Sequence, residues 1–232
     1  MYLNNASELV LEYLVNKLKD GAYDTVNKIE TEDAIGAHLN VSRSSVRQAI
    51  EKLVALGVLK KVQGSGTYVN PFEDASFKGM MYYRPNYERL LSILEFRMQF
   101  DSGNTALFVE HASDEDMEQL EENYRLMCEG AMNKDLVQKY EREFHRLIAL
   151  GTHNVIIIRI SEMLNDLLIN YADLQYDSVG SNNCLEWHGR ILEALRAKNG
   201  DMARLCVVQD ISNAINTIKN KHFEKEVDTN AN

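Results

Sequence analysis

Apolar residues recur every three or four positions along most of this chain, and one interruption of that rhythm divides it in two. Val10, Leu11, Leu14, Val15 and Leu18 share a helical face, and Gly21 supplies the left-handed residue that ends a helix, predicting a first helix over roughly 5–20. Thr31 reads as the N-cap of a second, short helix with Glu32 and Asp33 in its first turn and Ile35 and Leu39 facing inward. Asn40-Val41-Ser42 forms a turn, and Ser42 caps a third helix whose stripe is Val46, Ala49, Ile50, Leu53 and Leu56, closed by Gly57. Its opposite face presents Arg43, Ser44, Arg47 and Gln48.

After Gly57 the period falls from helical to alternating. Val58-Leu59-Lys60-Lys61-Val62 and Thr67-Tyr68-Val69 flank Gln63-Gly64-Ser65-Gly66, the pattern of a small hairpin. Three short helices followed by a two-stranded wing make a winged helix-turn-helix over 1–72. Pro71 stops the second strand, and 73–80, lacking periodicity, reads as a linker.

From Tyr82 onward only helical spacing remains. It predicts a long helix through Leu90, Leu94, Met98 and Phe108, with a bend at Gly103. Ser113 and Asp116 form a capping-box pattern opening a helix to Gly130. Further helices are expected over about 135–151, 155–175, 183–198 and 202–223. The fold class is therefore mainly α, an N-terminal winged helix-turn-helix followed by an all-helical body over 81–223 and a polar tail over 224–232.

Composition narrows the function classes. The chain has 232 residues, 26% charged and 45% hydrophobic, with only two prolines, the profile of an ordered globular protein. No apolar run approaches a membrane span and the first residues lack a signal-peptide pattern, which points to a cytoplasmic protein with no membrane partner. Cys128, Cys184 and Cys206 are spaced without a C-x-x-C and read as buried, reduced thiols. The net charge of -10 opposes nucleic-acid binding until its distribution is read. Residues 40–70 carry Arg43, Arg47, Lys52, Lys60 and Lys61 against Glu51 alone, and most of the acid lies beyond residue 75.

That basic segment has the chemistry of a DNA reader. A helix fits the major groove, and an arginine can grip guanine O6 and N7 with two hydrogen bonds. Arg43 and Arg47 lie one turn apart on the exposed face, Ser44, Ser45 and Gln48 are in reach of phosphates or bases, Lys60 and Lys61 flank the wing, and Gly64 lets its tip approach the backbone.

Val41-Ser42-Arg43-Ser44-Ser45-Val46-Arg47-Gln48-Ala49-Ile50, then Leu56-Gly57-Val58-Leu59, then Gly64-Ser65-Gly66-Thr67-Tyr68-Val69 resemble the GntR family of bacterial transcription regulators. The resemblance implies DNA contacts by Arg43, Ser44, Ser45, Arg47 and Gly64. Two departures stand out. Asp24-Thr25-Val26-Asn27 replaces the family's Pro-Gly turn, and Asp33 falls where a phosphate-touching basic residue is common.

The helical body resembles the FCD class, the FadR-like branch of that family. Glu95-Phe96-Arg97-Met98-Gln99-Phe100-Asp101 carries one motif, Glu141-Arg142-Glu143-Phe144-His145 with Asn154 a second, and Trp187-His188-Gly189-Arg190-Ile191-Leu192 before Gly200-Asp201 a third. The resemblance implies a six- or seven-helix, dimerising domain that binds a small carboxylate or sugar acid, or a metal. Arg97, Asp101 and Asn154 are then candidate effector contacts. Arg97 serves either in an ion pair with Asp101 or as the fork that receives a carboxylate. Glu141 and His145, spaced i,i+4, converge on one helix face, and with His188 offer mixed oxygen and nitrogen ligands for zinc, nickel or manganese; alone, Glu141 and His145 read equally as an ion pair. Metal-binding relatives have a further histidine near the position of Ser212; here Asp210 or a water takes that place, or the metal is absent.

The expected function is a homodimeric, effector-responsive regulator, a repressor, that binds operator DNA. A metal-dependent hydrolase built on Glu141, His145 and His188 is the alternative from another class, although H-E-x-x-H, a phosphate loop and a nucleophile elbow are all absent from the sequence. A ligand-free architectural DNA-binding protein is the third reading.

Overall fold

The computed structural model describes residues 6–179 and 182–229, and their side chains except those of 179, 182, 183 and 222–229. It divides into two compact units, Met1–Arg84 and Pro85–Asn232.

In the first unit, α1 (Ala6–Lys19), α2 (Glu32–Leu39) and α3 (Arg43–Ala55) precede an antiparallel hairpin of β1 (Leu59–Val62) and β2 (Gly66–Val69). The caps form as their chemistry demands: Thr31 accepts from the Ala34 amide and Ser42 from the Ser45 amide, satisfying donors that the helix itself leaves open. Val10, Leu14, Ile35, Val46, Ile50 and Leu53 interlock as the core. Gly57 leaves α3 at φ +71, where a Cβ would come within 2.7 Å of the Asp74 carbonyl oxygen, so a side chain there is excluded twice over. The strands pair Leu59 with Val69 and Val62 with Gly66. Residues 27–29 add a short third rung, with the Ile29 amide donating to Thr67 and the Val69 amide to Asn27.

The stretch 73–80, expected as a linker, is packed into this unit. Short 3-10 turns at Phe72–Asp74 and Met80–Tyr82 bracket it, Ala75 and Tyr83 are buried in the core, and the Tyr83 hydroxyl donates to the Asn70 carbonyl at 2.9 Å. Side-chain burial, not periodicity, orders this segment.

The second unit comprises α4 (Tyr87–His111), α5 (Asp114–Glu129), α6 (Lys134–Leu150), α7 (Val155–Ile169), α8 (Ala172–Val179), α9 (Asn182–Arg196) and α10 (Gly200–Thr229). Its most extensive packing is of α10 on α4 and α9. The Ser113–Asp116 capping box opens α5. The helix expected over 155–175 is two helices. The chain breaks at Asn170, and Tyr171 turns fully into the core at the break. Helix α4 runs unbroken through Gly103, and α10 continues to Thr229, so the tail expected from 224 is helical over most of its length; 230–232 lie outside the described residues. Of the cysteines, Cys184 and Cys206 are buried, but Cys128 is exposed, contrary to expectation.

Glu30 ties the first unit together from the segment between α1 and α2. Its carboxylate accepts from the Tyr23 hydroxyl at 2.6 Å and the Tyr13 hydroxyl at 3.2 Å, and pairs with Lys17. Burial pushes its pKa up, but the Lys17 and Tyr23 hydrogen bonds outweigh that and hold it at about 2. A depressed carboxyl stabilises the fold above the unfolded-state value and loses that contribution as pH falls through the folded one. Glu30→Gln is therefore expected to cost ~1 kcal/mol in urea denaturation at pH 7, a charged hydrogen-bond value reduced for partial exposure. The difference from wild type should vanish as pH drops from about 4.5 towards 2.

Candidate functional site

The first candidate surface is the exposed face of α3. Arg43, Ser44, Arg47 and Gln48 all project to solvent, while Val46, Ala49, Ile50 and Leu53 anchor the helix. Ser42, besides capping, lies 2.8 Å from the Ser44 hydroxyl and 2.9 Å from that of Ser45, so the three form one hydroxyl cluster at the helix N-terminus. The wing carries Lys60 and Lys61, both exposed, and Gly64 at its tip has φ +73 and open space around it.

Sequence reasoning missed two residues of this surface. Glu32, in the first turn of α2, receives Arg43 Nε and Arg47 Nη2 at 3.2 Å each on one carboxylate oxygen, with Lys61 Nζ 3.8 Å from the other. Hydrogen bonds from Arg47 and Arg43 overcome partial burial and lower its pKa. Asp33 adds a 3.4 Å contact to Arg43. The cations thus converge on one acidic point. Lys28, bridged to Tyr68 and lying over its ring at 5.7 Å, is a further cation beside the wing.

The second candidate site lies inside the helical unit. Arg97 on α4 is 2% exposed, and its Nε donates to Asp101 at 3.0 Å while Nη1 donates to Glu141 on α6 at 2.8 Å. His145, one turn beyond Glu141, places Nδ1 3.0 Å from Asp101 and Nε2 3.6 Å from Asp210 on α10, close in space but outside hydrogen-bonding geometry. The rings of His145 and His188 on α9 meet edge to face at 5.0 Å. Four helices therefore contribute to one buried knot of charge.

Electrostatics differ within the knot. Burial pushes the Glu141 carboxyl up, but Arg97, His145 and His188 hold it at about 2. For His145, burial and Arg97 disfavour the proton, and Asp101 and Asp210 outweigh them, so its pKa is raised. Burial lowers that of His188. His188 Nδ1 lies 2.7 Å from the Cys184 carbonyl, which fixes the proton on Nδ1 and leaves Nε2 as a buried lone pair without a partner.

One ligand atom each from Glu141, His145 and His188 lies within 4.8 Å of the others. The structure thus brings together the three residues expected to hold a metal, and an unpartnered His188 Nε2 beside carboxylates fits a divalent cation. Glu141 can serve Arg97 through one oxygen and a cation through the other. Asp210 enters the knot where the sequence offered it as a substitute ligand. Ser212 instead lies 3.2 Å from the Met98 sulfur.

The effector candidates separate. Arg97 and Asp101 are paired to each other, the ion-pair alternative, and Arg97 lines the cavity described below. Asn154 is elsewhere: its side chain accepts from the Ile156 and Ile157 amides as the cap of α7, and it borders a different depression with Leu107, His111 and His153. In this structure its side chain is engaged as that cap, apart from Arg97 and Asp101.

A cleft between α4, α6, α8, α9 and α10 opens onto the knot, lined by Arg97, Glu141, Arg142, His188 and Asp210 and by apolar Leu94, Val137 and Ile211. It contains about 630 Å³ of atom-free space counting its open mouth.

Comparison with known proteins yields matches to both units. The family described as bacterial regulatory proteins, gntR family, matches residues 6–69, and the FCD domain matches residues 92–213, just over half of the chain. The HTH-type transcriptional regulator LutR of Bacillus subtilis (strain 168) is 25% identical over 218 residues, covering 90% of this chain and 99% of that protein. The putative L-lactate dehydrogenase operon regulatory protein of Escherichia coli (strain K12) is 25% identical over 207 residues, 83% of this chain and 78% of that one. Among solved structures, that of Lar, described as controlling expression of the Listeria monocytogenes agr system, has a TM-score of 0.71 at 18% identity, covering 95% of this chain and 99% of that one, a likeness of fold.

Removing one partner from a buried charge network leaves the others uncompensated. Arg97→Met should destabilise the protein by about 3–5 kcal/mol in chemical denaturation, because Asp101 and Glu141 lose their shared cation.

Proposed function

Because the chain belongs to the GntR family of bacterial regulators and carries its FCD-type helical domain, we propose that it is a homodimeric, cytoplasmic repressor that reads operator DNA with α3 and senses a small carboxylate in the helical unit. It is a transcription regulator with a DNA-binding helix-turn-helix, not an enzyme. Among the described residues no helix is long and apolar enough to cross a membrane.

The observation that carries the DNA reading is the convergence of Arg43, Arg47 and Lys61 on Glu32 at the exposed face of α3. Exposed ion pairs of this kind are worth about 0–1 kcal/mol each, so a guanine edge or a phosphate can replace the carboxylate at little cost. Arg43 and Arg47 read bases. Ser44, Ser45 and Gln48 hold register, while Lys60, Lys61 and the Gly64 tip engage phosphates. A dimer presents two such heads to a two-fold operator, and occupancy of a promoter blocks transcription.

In the helical unit, Glu141, His145 and His188, with Asp210 in support, hold a divalent cation: zinc, nickel or manganese. Such an ion supplies a Lewis-acidic point for a carboxylate. Support comes from the unpartnered Nε2 of His188 and the mutual approach of the three ligands.

Two measurements test these readings. In fluorescence anisotropy with the gene's own promoter DNA, Arg43→Ala and Arg47→Ala should each weaken binding about 10- to 100-fold, whereas Lys60→Ala should lessen the salt slope by about one unit. Equal binding of all sequences, untouched by either arginine change, would falsify the reader assignment. In thermal melts, zinc or manganese should raise the midpoint of the wild type and leave that of His188→Ala unmoved; a rise of equal size in both defeats the metal site.

A further inference from the structure

On the reader surface, Arg43, Arg47 and Lys61 are already answered by acids. Both arginines meet Glu32, Asp33 adds to Arg43, and Lys61 meets Glu51 at 2.6 Å. Two lysines of the same unit are not so answered. Lys28, in the stretch before α2 that forms the third rung of the hairpin, and Lys60, in β1, are exposed, and neither ammonium has an ion pair or hydrogen bond among the described residues.

The hairpin register puts both on one face. Lys60 is paired directly with Tyr68 on β2, and Lys28 is bridged to the same Tyr68 from its other side. Residues directly opposite one another on antiparallel strands point the same way, and successive residues of a strand point opposite ways. Lys60, Tyr68 and Lys28 therefore form one cross-strand row on the outer face of the wing. Leu59 and Lys61 take the inner face, where Leu59 is buried and Lys61 turns to Glu51. The alternation thus sends Lys61 towards acids and Lys60 away from them.

The row lies at the tip end of the wing. The Tyr68 hydroxyl is 2.5 Å from that of Ser65, and Lys28 Nζ stands 5.7 Å from the centre of the Tyr68 ring. A Cβ on Gly66 would lie 2.7 Å from Lys28 Cε, so the lysine runs along the tip itself. Two strand spacings separate the Lys28 and Lys60 backbones by about 10 Å. The ring face attracts the Lys28 ammonium without neutralising it. Two like charges flanking a ring, with no acid paired to either, make a strip that a polyanion neutralises with release of its counterions.

We propose that Lys28, with Lys60 across the Tyr68 ring, forms a second phosphate-contacting strip of the DNA interface, on the outer face of the wing and separate from the α3 face. Lys28 contacts the sugar-phosphate backbone and carries no sequence information. This rests on the DNA reading of the first unit and adds to it a contact residue from the segment between α1 and α2.

Fluorescence anisotropy of the full chain, on a duplex of the gene's own promoter and on a scrambled duplex of the same composition, tests the strip. Lys28→Ala should flatten the slope of log affinity against log salt by about 0.9, a loss of about 15-fold in affinity at 50 mM salt and about 4-fold at 200 mM. The flattening should be equal on the scrambled duplex, because phosphates are common to both. Changing Lys28 and Lys60 together to alanine should flatten the slope by about 1.8, and Lys28→Arg should keep it. Lys139→Ala, which removes a lysine lying over the Tyr140 ring on α6, should match wild type. Circular dichroism melts of each variant verify folding. A wild-type slope for folded Lys28→Ala, with Arg43→Ala still weakened on the promoter, overturns the strip and leaves the reader assignment standing. A Lys28→Ala loss confined to the promoter duplex overturns the backbone role, and an equal loss in Lys139→Ala reduces the effect to net charge and overturns it too. A wild type that binds neither duplex overturns the DNA reading and the strip together.

Discussion

Arg97 is the interaction on which the helical unit depends. A guanidinium at 2% exposure is tolerable only where anions meet it, and Asp101 from its own helix and Glu141 from α6 do so at hydrogen-bond distance. Asp101 and Asp210 in turn draw up the pKa of His145, and His145 packs against the neutral ring of His188. The polar knot therefore joins α4, α6, α9 and α10, the elements whose packing makes the body of the unit. Its geometry is specific in a way that Leu or Ile contacts are not, because each carboxylate has a limited set of places where its charge is answered.

The same pairing decides which groups are free to do chemistry. Arg97 carries the family motif and invites assignment as the ligand's cation, yet its charge is consumed by two carboxylates. Arg142, the next residue after Glu141, has no ion pair or hydrogen bond among the described residues. A motif identifies a position; only the partners around the position show whether its charge is spent.

Much of this was legible in the sequence, and the reasons differ by element. Thr31, Ser42 and the Ser113–Asp116 box act through bonds three residues away, so their caps could be read locally. The hairpin was legible because Gly64 and Gly66 interrupt an alternating run. The break at Asn170 and Tyr171 was not, since neither residue disrupts helical spacing and the cause is the tertiary burial of the Tyr171 ring. Residues 73–80 lack periodicity, which hid the burial of Ala75 and Tyr83. Glu32 was read as a helix-dipole acid; its contact with Arg47 spans 15 positions and needs the fold. Asn154 is a motif residue whose local bonds cap α7, a role its position before an apolar helical run makes readable.

Two kinds of ion pair therefore serve two kinds of recognition in this chain. Around Glu32 the arginines are more than half exposed, water screens each contact, and exchange of one acid for another costs little. A surface that must release its internal partner whenever it takes up a polyanion works only with pairs of that strength. Around Arg97 the pairs are dry, and displacing either carboxylate would strand it at a cost of several kcal/mol, about as much as a small ligand's binding can supply. Burial thus separates the cations of this chain into those that exchange partners and those that hold the fold.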